Sequence, residues 1–123
     1  MNIKLFRIIA VLLATVLTAR QTASAHAFLD RAEPKVGAKI AKPPAEIKIW
    51  FTQELEPAFS KIQIFDSDGK QLDKKDSHLD SKDRKLLIVG VPKLAAGSYK
   101  VSWRVVSADT HRTQGNFKFT IKS

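Results

Sequence analysis

The sequence predicts a single all-β domain, folded as a sandwich or small barrel and preceded by a cleavable signal helix. Three observations lead to this prediction. Apolar residues recur with a period of two in several short segments of residues 26–123, turn-forming residues separate these segments, and none of them carries a helical stripe. A chain of 123 residues is long enough for one such domain and too short for two.

The first 25 residues have the pattern of a signal peptide. Lys4 and Arg7 give a positive start, an uninterrupted apolar run covers residues 8–17, and Ala23-Ser24-Ala25 is a small-residue cleavage site. The apolar run is shorter than the roughly 20 residues of a membrane-spanning helix. We therefore expect a signal peptide at residues 1–25, a mature domain at residues 26–123, and no embedding in the membrane after cleavage.

The first half of the mature domain contains two segments of strand-like alternation. In residues 46–51, Ile47, Ile49 and Phe51 alternate with more polar neighbours, and residues 61–65 repeat the pattern around Ile62 and Ile64. Asp66-Ser67-Asp68-Gly69 is a hairpin turn, because the Asp-Gly step supplies the positive φ that such a turn needs. The polar and charged residues 71–84 predict an exposed loop with weak strand pairing.

The second half carries the strongest strand signals. Residues 86–89 are a short apolar strand, and a turn at Ala95-Ala96-Gly97 precedes a long strand at residues 98–106. The side chains predicted to face the core from this strand are Tyr99, Val101, Trp103 and Val105. A final strand alternates around Phe117, Phe119 and Ile121. We expect Trp50, Trp103 and the phenylalanines to pack in the core or at the barrel ends.

Composition narrows the classes of function. The chain has no cysteine, so it forms no disulfide and offers no thiolate to a metal. Its formal charge of +9 becomes +6 once the three cations of residues 1–25 are removed. The lysines are scattered singly along an exported domain, which favours a solvated cationic surface over a nucleic-acid interface.

The position of His26 in the sequence gives this residue a possible role as a metal ligand. The other histidines are His78 and His111. If cleavage follows Ala25, His26 carries a free α-amine beside its own imidazole, and one residue then offers two nitrogens that close a chelate ring on a metal. This donor pair favours Cu(II), which prefers tetragonal nitrogen and oxygen ligands, over Zn(II). The bland alternative is that signal peptidase leaves a histidine behind by chance.

A second group of donors follows the strongest strand, at Asp109 and His111. In an extended segment these residues project to the same side, since they are two positions apart. An imidazole and a carboxylate would complete a set of three nitrogens and one oxygen with the amino terminus. The carboxylate could instead orient the imidazole ring, or Asp109 could bond to the local backbone of a polar turn.

These segments together resemble the CopC family of copper-resistance proteins. The residues that carry the resemblance are His26-Ala27-Phe28-Leu29, Glu33-Pro34-Lys35-Val36-Gly37, Trp50-Phe51-Thr52, the stretch Ala96 to Ser107, and Asp109-Thr110-His111 through Gly115 to Phe119. The resemblance covers nearly all of residues 26–123 in the same order. The mature N-terminal histidine combined with Y-x-V-x-W-R-V-V-S-x-D-x-H is its most specific part.

The resemblance implies a periplasmic Greek-key β-barrel or sandwich, immunoglobulin-like or cupredoxin-like in its architecture although it lacks the paired cysteines of antibody domains. It implies a binding protein and not an enzyme, with one Cu(II) ion held by His26, Asp109 and His111. Its role would be copper sequestration, or delivery to an inner-membrane copper transporter of the CopD type.

The sequence departs from the family pattern in two places. Some members have a glutamate that also contacts Cu(II), where this chain has Gln53, with Glu54 one residue later. A shift of one residue on a strand reverses the face, so Glu54 is left out of the predicted site. Some members also bind Cu(I) through a methionine-rich loop. Here Met1 is the only methionine, so no Cu(I) site is expected, and His78 is expected to be merely solvated.

Two other classes of function remain open at this stage. A copper redox enzyme resembling the polysaccharide monooxygenases would also use an N-terminal histidine with a second histidine, but an aspartate ligand would fill the position that oxygen needs. A metal-free β-sandwich interaction domain would hold His26, Asp109 and His111 far apart. Zn(II) or Ni(II) could bind the same nitrogens, although the Irving–Williams order favours Cu(II).

Overall fold

The computed structural model describes residues 26–123, which form a sandwich of two four-stranded β-sheets. In spatial order, the first sheet contains β1 (Leu29–Glu33), β3 (Glu46–Phe51), β6 (Leu86–Gly90) and β5 (His78–Leu79). The second contains β2 (Lys39–Ile40), β8 (Arg112–Ile121), β7 (Gly97–Val106) and β4 (Lys61–Phe65). A short 3-10 helix, Pro57–Phe59, is the only helical element in this range. The all-β prediction is confirmed, while the predicted signal helix lies outside the described residues.

The chain crosses between the two sheets repeatedly, as in a Greek-key sandwich. Only β5–β6 and β7–β8 are neighbours both in sequence and in a sheet. Strands pair antiparallel except β2, which runs parallel to β8. The β7–β8 hairpin is the longest ladder and runs from Gly97 opposite Ile121 to Val106 opposite Arg112. No helix in residues 26–123 has the length and hydropathy needed to cross a membrane.

Alternate side chains of the long strands fill the space between the sheets, as their period of two predicts. The predicted inward residues are buried, each at most 7% exposed: Ile47, Ile49, Phe51, Ile62, Ile64, Tyr99, Val101, Trp103, Val105, Phe117, Phe119 and Ile121. Phe51 and Trp103 meet edge to face across the sheets, with ring centroids 5.2 Å apart. This packing gives the domain a rigid core without disulfides.

The segment predicted as an exposed loop, residues 71–84, is more ordered than expected. It contains β5, and the side chain of Asp73 is buried. The Asp73 carboxylate accepts backbone N–H bonds from Ile64 at 2.9 Å and Lys75 at 3.2 Å. Asp73 therefore fastens this segment to β4 by a bond between distant parts of the chain, which a local sequence pattern does not reveal.

Four aromatic side chains depart from the predicted packing. One is Phe65, which is half-buried on the outer face of β4, with Lys100 Nζ 5.2 Å from its ring centroid. Phe28 and Phe59 are 50% and 67% exposed. Trp50 is half-buried on the outer face of the first sheet, where the guanidinium of Arg31 lies 3.6 Å from its ring centroid. The prediction that the phenylalanines pack in the core or at the barrel ends is wrong for the exposed Phe28 and Phe59, because both lie outside the alternating strand segments.

Candidate metal centre

The loop that joins β7 to β8, residues 107–111, is closed around Ser107. The backbone N–H of Ser107 donates to the His111 carbonyl at 2.9 Å, and the N–H of Thr110 donates to the Ser107 carbonyl at 2.8 Å. The N–H of His111 donates in turn to Ser107 Oγ at 3.2 Å. Ser107 is 2% exposed, so its hydroxyl is held in place and anchors the backbone of the β7–β8 loop.

Asp109 and His111 lie beside each other on this loop. The Ser107 hydroxyl donates to Asp109 Oδ1, and His111 Nδ1 lies 3.3 Å from the same oxygen. The hydrogen bond from Ser107, followed by that from His111, holds the pKa of Asp109 below its ordinary value of 3.8. The carboxylate is therefore ionised at neutral pH. Both side chains are about half exposed, so they are open to an ion from solvent.

The N-terminal arm, residues 26–28, is held against both sheets. The carbonyl of Ala27 accepts the hydroxyl hydrogen bond of Thr113, in β8, at 2.6 Å, and Ala27 itself is fully buried. The N–H of Phe28 donates to Thr52 Oγ1 at 2.9 Å, and the N–H of Thr52 donates to the Phe28 carbonyl at 2.8 Å. The two threonines thus fix the direction in which the arm leaves the sandwich.

The arm brings His26 to the β7–β8 loop. The ring centroids of His26 and His111 are 4.8 Å apart, with an angle of 31° between their planes. Asp109 contacts His111 of this pair, with its Oδ1 3.3 Å from His111 Nδ1. All three predicted site residues therefore lie at one end of the sandwich, although residue 26 is 85 positions from residue 111 in the sequence.

The side chains of this cluster do not form a closed metal cage as they stand. Within residues 26–123 no group of three or more His, Asp or Glu side chains is arranged to hold a metal ion. In the full chain the backbone nitrogen of His26 is an amide, since residue 25 is attached to it. Cleavage would change that amide into an amine, a donor that the uncleaved chain lacks.

The two residues at the family's glutamate position lie near the loop but do not join the cluster. Gln53 and Glu54 are exposed. Glu54 touches the loop through its backbone, where its carbonyl accepts the N–H of Ala108 at 2.9 Å. Neither side chain forms a hydrogen bond or ion pair with another of residues 26–123.

His78 is separate from the other two histidines. It lies in the edge strand β5, opposite Ile88, and its side chain is exposed. Its Nδ1 is 2.8 Å from the Asp76 carbonyl, a contact within its own segment. Within residues 26–123, His78 makes no contact with His26 or His111.

Sequence reasoning missed the residues that position the site. Ser107, Thr52 and Thr113 organise the loop and the arm, but none was singled out in advance. The only advance signal for Ser107 is its place two residues before Asp109, a spacing typical of side-chain bonds in turns. For the threonines no local signal exists, because each bonds to a segment at least 24 residues away.

Comparisons with known proteins identify the family and the fold. The chain matches the CopC domain over residues 29–122. It is 33% identical to copper resistance protein C of Xanthomonas campestris pv. juglandis over 125 residues, which covers 95% of this chain and 98% of that protein. The crystal structure of CopC from Methylosinus trichosporium OB3b matches with a TM-score of 0.75 and 36% identity, covering 79% of this chain and 94% of that chain.

One relative carries the same domain within a much longer chain. The copper transport protein CutJ of Bacillus subtilis is 28% identical over 102 residues. The match covers 82% of this chain but only 19% of CutJ. In that relative, the matched domain is therefore joined covalently to a large additional part.

Proposed function

Since the chain belongs to the CopC family of copper-resistance proteins, we propose that it is a periplasmic protein that binds one Cu(II) ion through His26, Asp109 and His111. The family match places it among copper-binding resistance proteins and not among enzymes. The observation that carries the proposed site is the approach of the His26 ring to the His111 ring, beside an ionised Asp109.

The donor set fits Cu(II) chemically. After cleavage, His26 supplies an amine and an imidazole nitrogen, His111 supplies a second imidazole, and Asp109 supplies a carboxylate oxygen. Three nitrogens and one oxygen suit the tetragonal geometry of Cu(II). The lowered pKa of Asp109 means that this carboxylate is ready to bind without losing a proton at neutral pH.

The same chemistry argues against a Cu(I) site. Cu(I) prefers soft thiolate and thioether ligands. Residues 26–123 contain no cysteine and no methionine, because the only methionine is Met1. The mature protein therefore offers copper only nitrogen and oxygen, and we infer a single site that is selective for the oxidised ion.

The proposed amine ligand has a direct test. We expect that adding one alanine ahead of His26 lowers Cu(II) affinity as severely as His111→Ala does. The loss should be about 100-fold or more, since removing a nitrogen ligand should weaken binding at least as much as losing a group that only orients a ligand, which costs about 10- to 100-fold. Competition titration against a Cu(II) chelator measures the affinity, and mass spectrometry of the secreted protein establishes its first residue and the number of ions bound.

A protein with one alanine added after Ser123 is the matched control and should bind copper normally. If the N-terminally extended protein bound Cu(II) with unchanged affinity, the amine would not be a ligand. If secretion produced a first residue other than His26, the proposed site would be wrong in its main donor.

The role of this site would be to hold copper in the periplasm and pass it to a transporter in the inner membrane. The support is the relative CutJ, named as a copper transport protein, in which the matched domain makes up 19% of the length. A domain that is covalently part of a transport protein in one organism is a reasonable separate carrier for such a transporter in another.

A further inference from the structure

A groove of about 570 Å³ lies next to the β7–β8 loop, and the proposed metal centre does not use it. It runs between the 3-10 helix and the outer face of the second sheet. Its charged lining residues are Lys61, Arg104 and Arg112, and none of its lining residues is acidic. Phe59, which is 67% exposed, forms one of its walls. We call this surface the basic groove.

The positions of the cations in the basic groove destabilise the fold by charge repulsion. Lys61 and Arg104 are directly opposite each other in the β4–β7 ladder, and like charges in that position repel. Arg112 is opposite Val106, in the last pair before the loop. Within residues 26–123, no carboxylate lies within ion-pair distance of any of the three cations. A bound anionic group would relieve this repulsion.

The wall of the basic groove is fixed to the strand that leads into the β7–β8 loop. Ser60 Oγ accepts the N–H of Val106 at 3.1 Å and donates to the Glu56 carbonyl at 2.8 Å. The N–H of Glu56 donates to the Val106 carbonyl at 2.8 Å. Ser60 is 5% exposed. The groove is therefore preformed, and Val106 connects it directly to the residues that carry Asp109 and His111.

We propose that the basic groove docks an acidic segment of the protein that receives the copper, with an apolar side chain of that segment packed against Phe59. This inference rests on the proposed role in copper delivery. Charge complementarity identifies the partner as acidic, and the exposed aromatic wall indicates a peptide side chain as the second contact. Docking here would place the receiving protein beside the site from which copper leaves.

A second cationic pair on the same sheet face allows a test to distinguish a protein segment from an anionic membrane. Lys100 and Lys118 are opposite each other in the β7–β8 ladder, near the end of the strands distant from the loop. Asp66 lies among the residues that surround them, and no 3-10 helix forms a wall there. A flat membrane surface would engage both pairs, whereas a segment bound in the groove would use Lys61, Arg104 and Arg112 and leave Lys100 and Lys118 free.

The two pairs provide matched variants for the test. Lys61→Glu with Arg104→Glu and Lys100→Glu with Lys118→Glu each reverse two charges on the same face of the same sheet. The probe is a fluorescent peptide of about twelve residues, rich in glutamate around one phenylalanine. Its binding to mature protein is followed by fluorescence anisotropy at about 0.15 M salt, where long-range attraction is screened. Circular dichroism verifies the fold of each variant.

We expect the groove variant to weaken peptide binding at least tenfold and the distal variant less than threefold. Phe59→Ser should weaken binding of this peptide and leave binding of a peptide with alanine in place of phenylalanine unchanged. Equal losses in the two charge variants would overturn the proposal, as would stronger binding to vesicles of anionic lipid that depends on both pairs.

Copper binding is measured on the same variants, so the two proposals can fail separately. The groove variant should retain its Cu(II) affinity, because Lys61 and Arg104 are not ligands. Peptide binding by metal-free protein that bound no Cu(II) would contradict the metal site and leave the groove intact. Normal Cu(II) binding without peptide binding would contradict the groove alone.

Discussion

Thr113 connects the N-terminal arm to β8 through one short hydrogen bond, from its hydroxyl to the Ala27 carbonyl at 2.6 Å. This bond acts on the proposed site through position and not through contact with copper. If the arm were free, copper binding would have to order it, and the conformational entropy lost by the arm would weaken the binding. If the proposed site is correct, the hydroxyl of Thr113 therefore contributes to copper affinity by ordering the arm in advance.

Thr113→Val removes the hydroxyl and keeps the shape of the side chain. We expect Cu(II) affinity to fall about tenfold, equivalent to the net loss of roughly one hydrogen bond. Thr120→Val is the control in the same strand, because its hydroxyl bonds to no other group in the described part of the chain. Titration of both variants checks the prediction. Equal affinities would show that the arm finds its position without Thr113.

Asp109 allows a prediction about pH. Its pKa is lowered, so the ionised carboxylate stabilises the fold above 3.8, and that stabilisation is lost as the pH falls below 3.8. Between pH 5 and 8 the carboxylate keeps its charge, so its contribution to copper binding is constant over that range. We expect Asp109→Asn to bind Cu(II) more weakly than the native protein, with the same decline in affinity from pH 8 to 5.

Competition titrations at several pH values give the two curves, which should run parallel. Urea unfolding of the metal-free proteins provides the second measurement. The stability difference between native and Asp109→Asn protein should be present at pH 5 and shrink as the pH is lowered below 3.8. Copper-affinity curves that converged between pH 8 and 5 would mean that Asp109 itself titrates in that range.

At the scale of the elements, the β7–β8 hairpin depends on a glycine. A Cβ added at Gly115 would lie 2.5 Å from Cζ2 of Trp103, the residue opposite it in the ladder. The indole is in turn packed against Phe51 of the other sheet. A side chain at position 115 therefore displaces the contact that joins the two sheets below the proposed site.

Gly115→Ala should lower the free energy of unfolding by about 2 kcal/mol, the usual effect of overpacking a core. Urea unfolding measures the loss, and near-ultraviolet circular dichroism reports the environment of Trp103. Asn116→Ala, at the neighbouring exposed position, should change stability by less than about 0.5 kcal/mol. A stable Gly115→Ala protein with an unchanged spectrum would show that the indole can move without cost.

The long strands could be predicted from the sequence, and the short ones could not. In β3, β7 and β8 one face is buried and the other faces solvent, so apolar and polar residues alternate along the sequence with a period of two. β2 and β5 have two residues each, too few to show any period. β1 begins with Leu29 and then places only Ala32 in the core, so its apolar pattern is weak.

The same division applies to the candidate site. His26, Asp109 and His111 could be proposed in advance because their donor chemistry is visible in single residues. Their support could not, because Thr52 and Thr113 act on segments that are distant in sequence. Ser107 also serves through burial, which depends on how β7 packs. The donor chemistry of a single residue can be read from the sequence, whereas hydrogen bonds between distant segments can be identified only once the fold is known.

At the scale of the whole molecule, the proposed site joins the two sheets. His26 leads into β1 of the first sheet, and Asp109 with His111 belongs to the hairpin of the second. An ion held by all three would bind the folded state more tightly than the unfolded chain, where only the local donors of His26 remain together, and so would stabilise the domain by mass action.

We expect excess Cu(II) to raise the Tm of the mature protein. At a free concentration of 100 times Kd, the added stability would be at most about 2.7 kcal/mol, because binding of the ion to the unfolded chain reduces it. Differential scanning calorimetry with and without copper measures the shift, and a chelator should reverse it. The protein with one alanine ahead of His26 should show a much smaller shift at the same copper concentration. An equal shift in the two proteins would place the ion elsewhere on the chain.

The attachment of the arm also determines how copper could leave. Ala27 and Phe28 are secured by three hydrogen bonds to two threonines, and both nitrogens that the proposed site takes from His26 lie beyond that attachment. Peeling these residues away would withdraw half of the four donors in one movement and leave an ion held only by the hairpin. A receiving protein could thus open the proposed site by displacing residues 26–28 alone, without unfolding the sandwich.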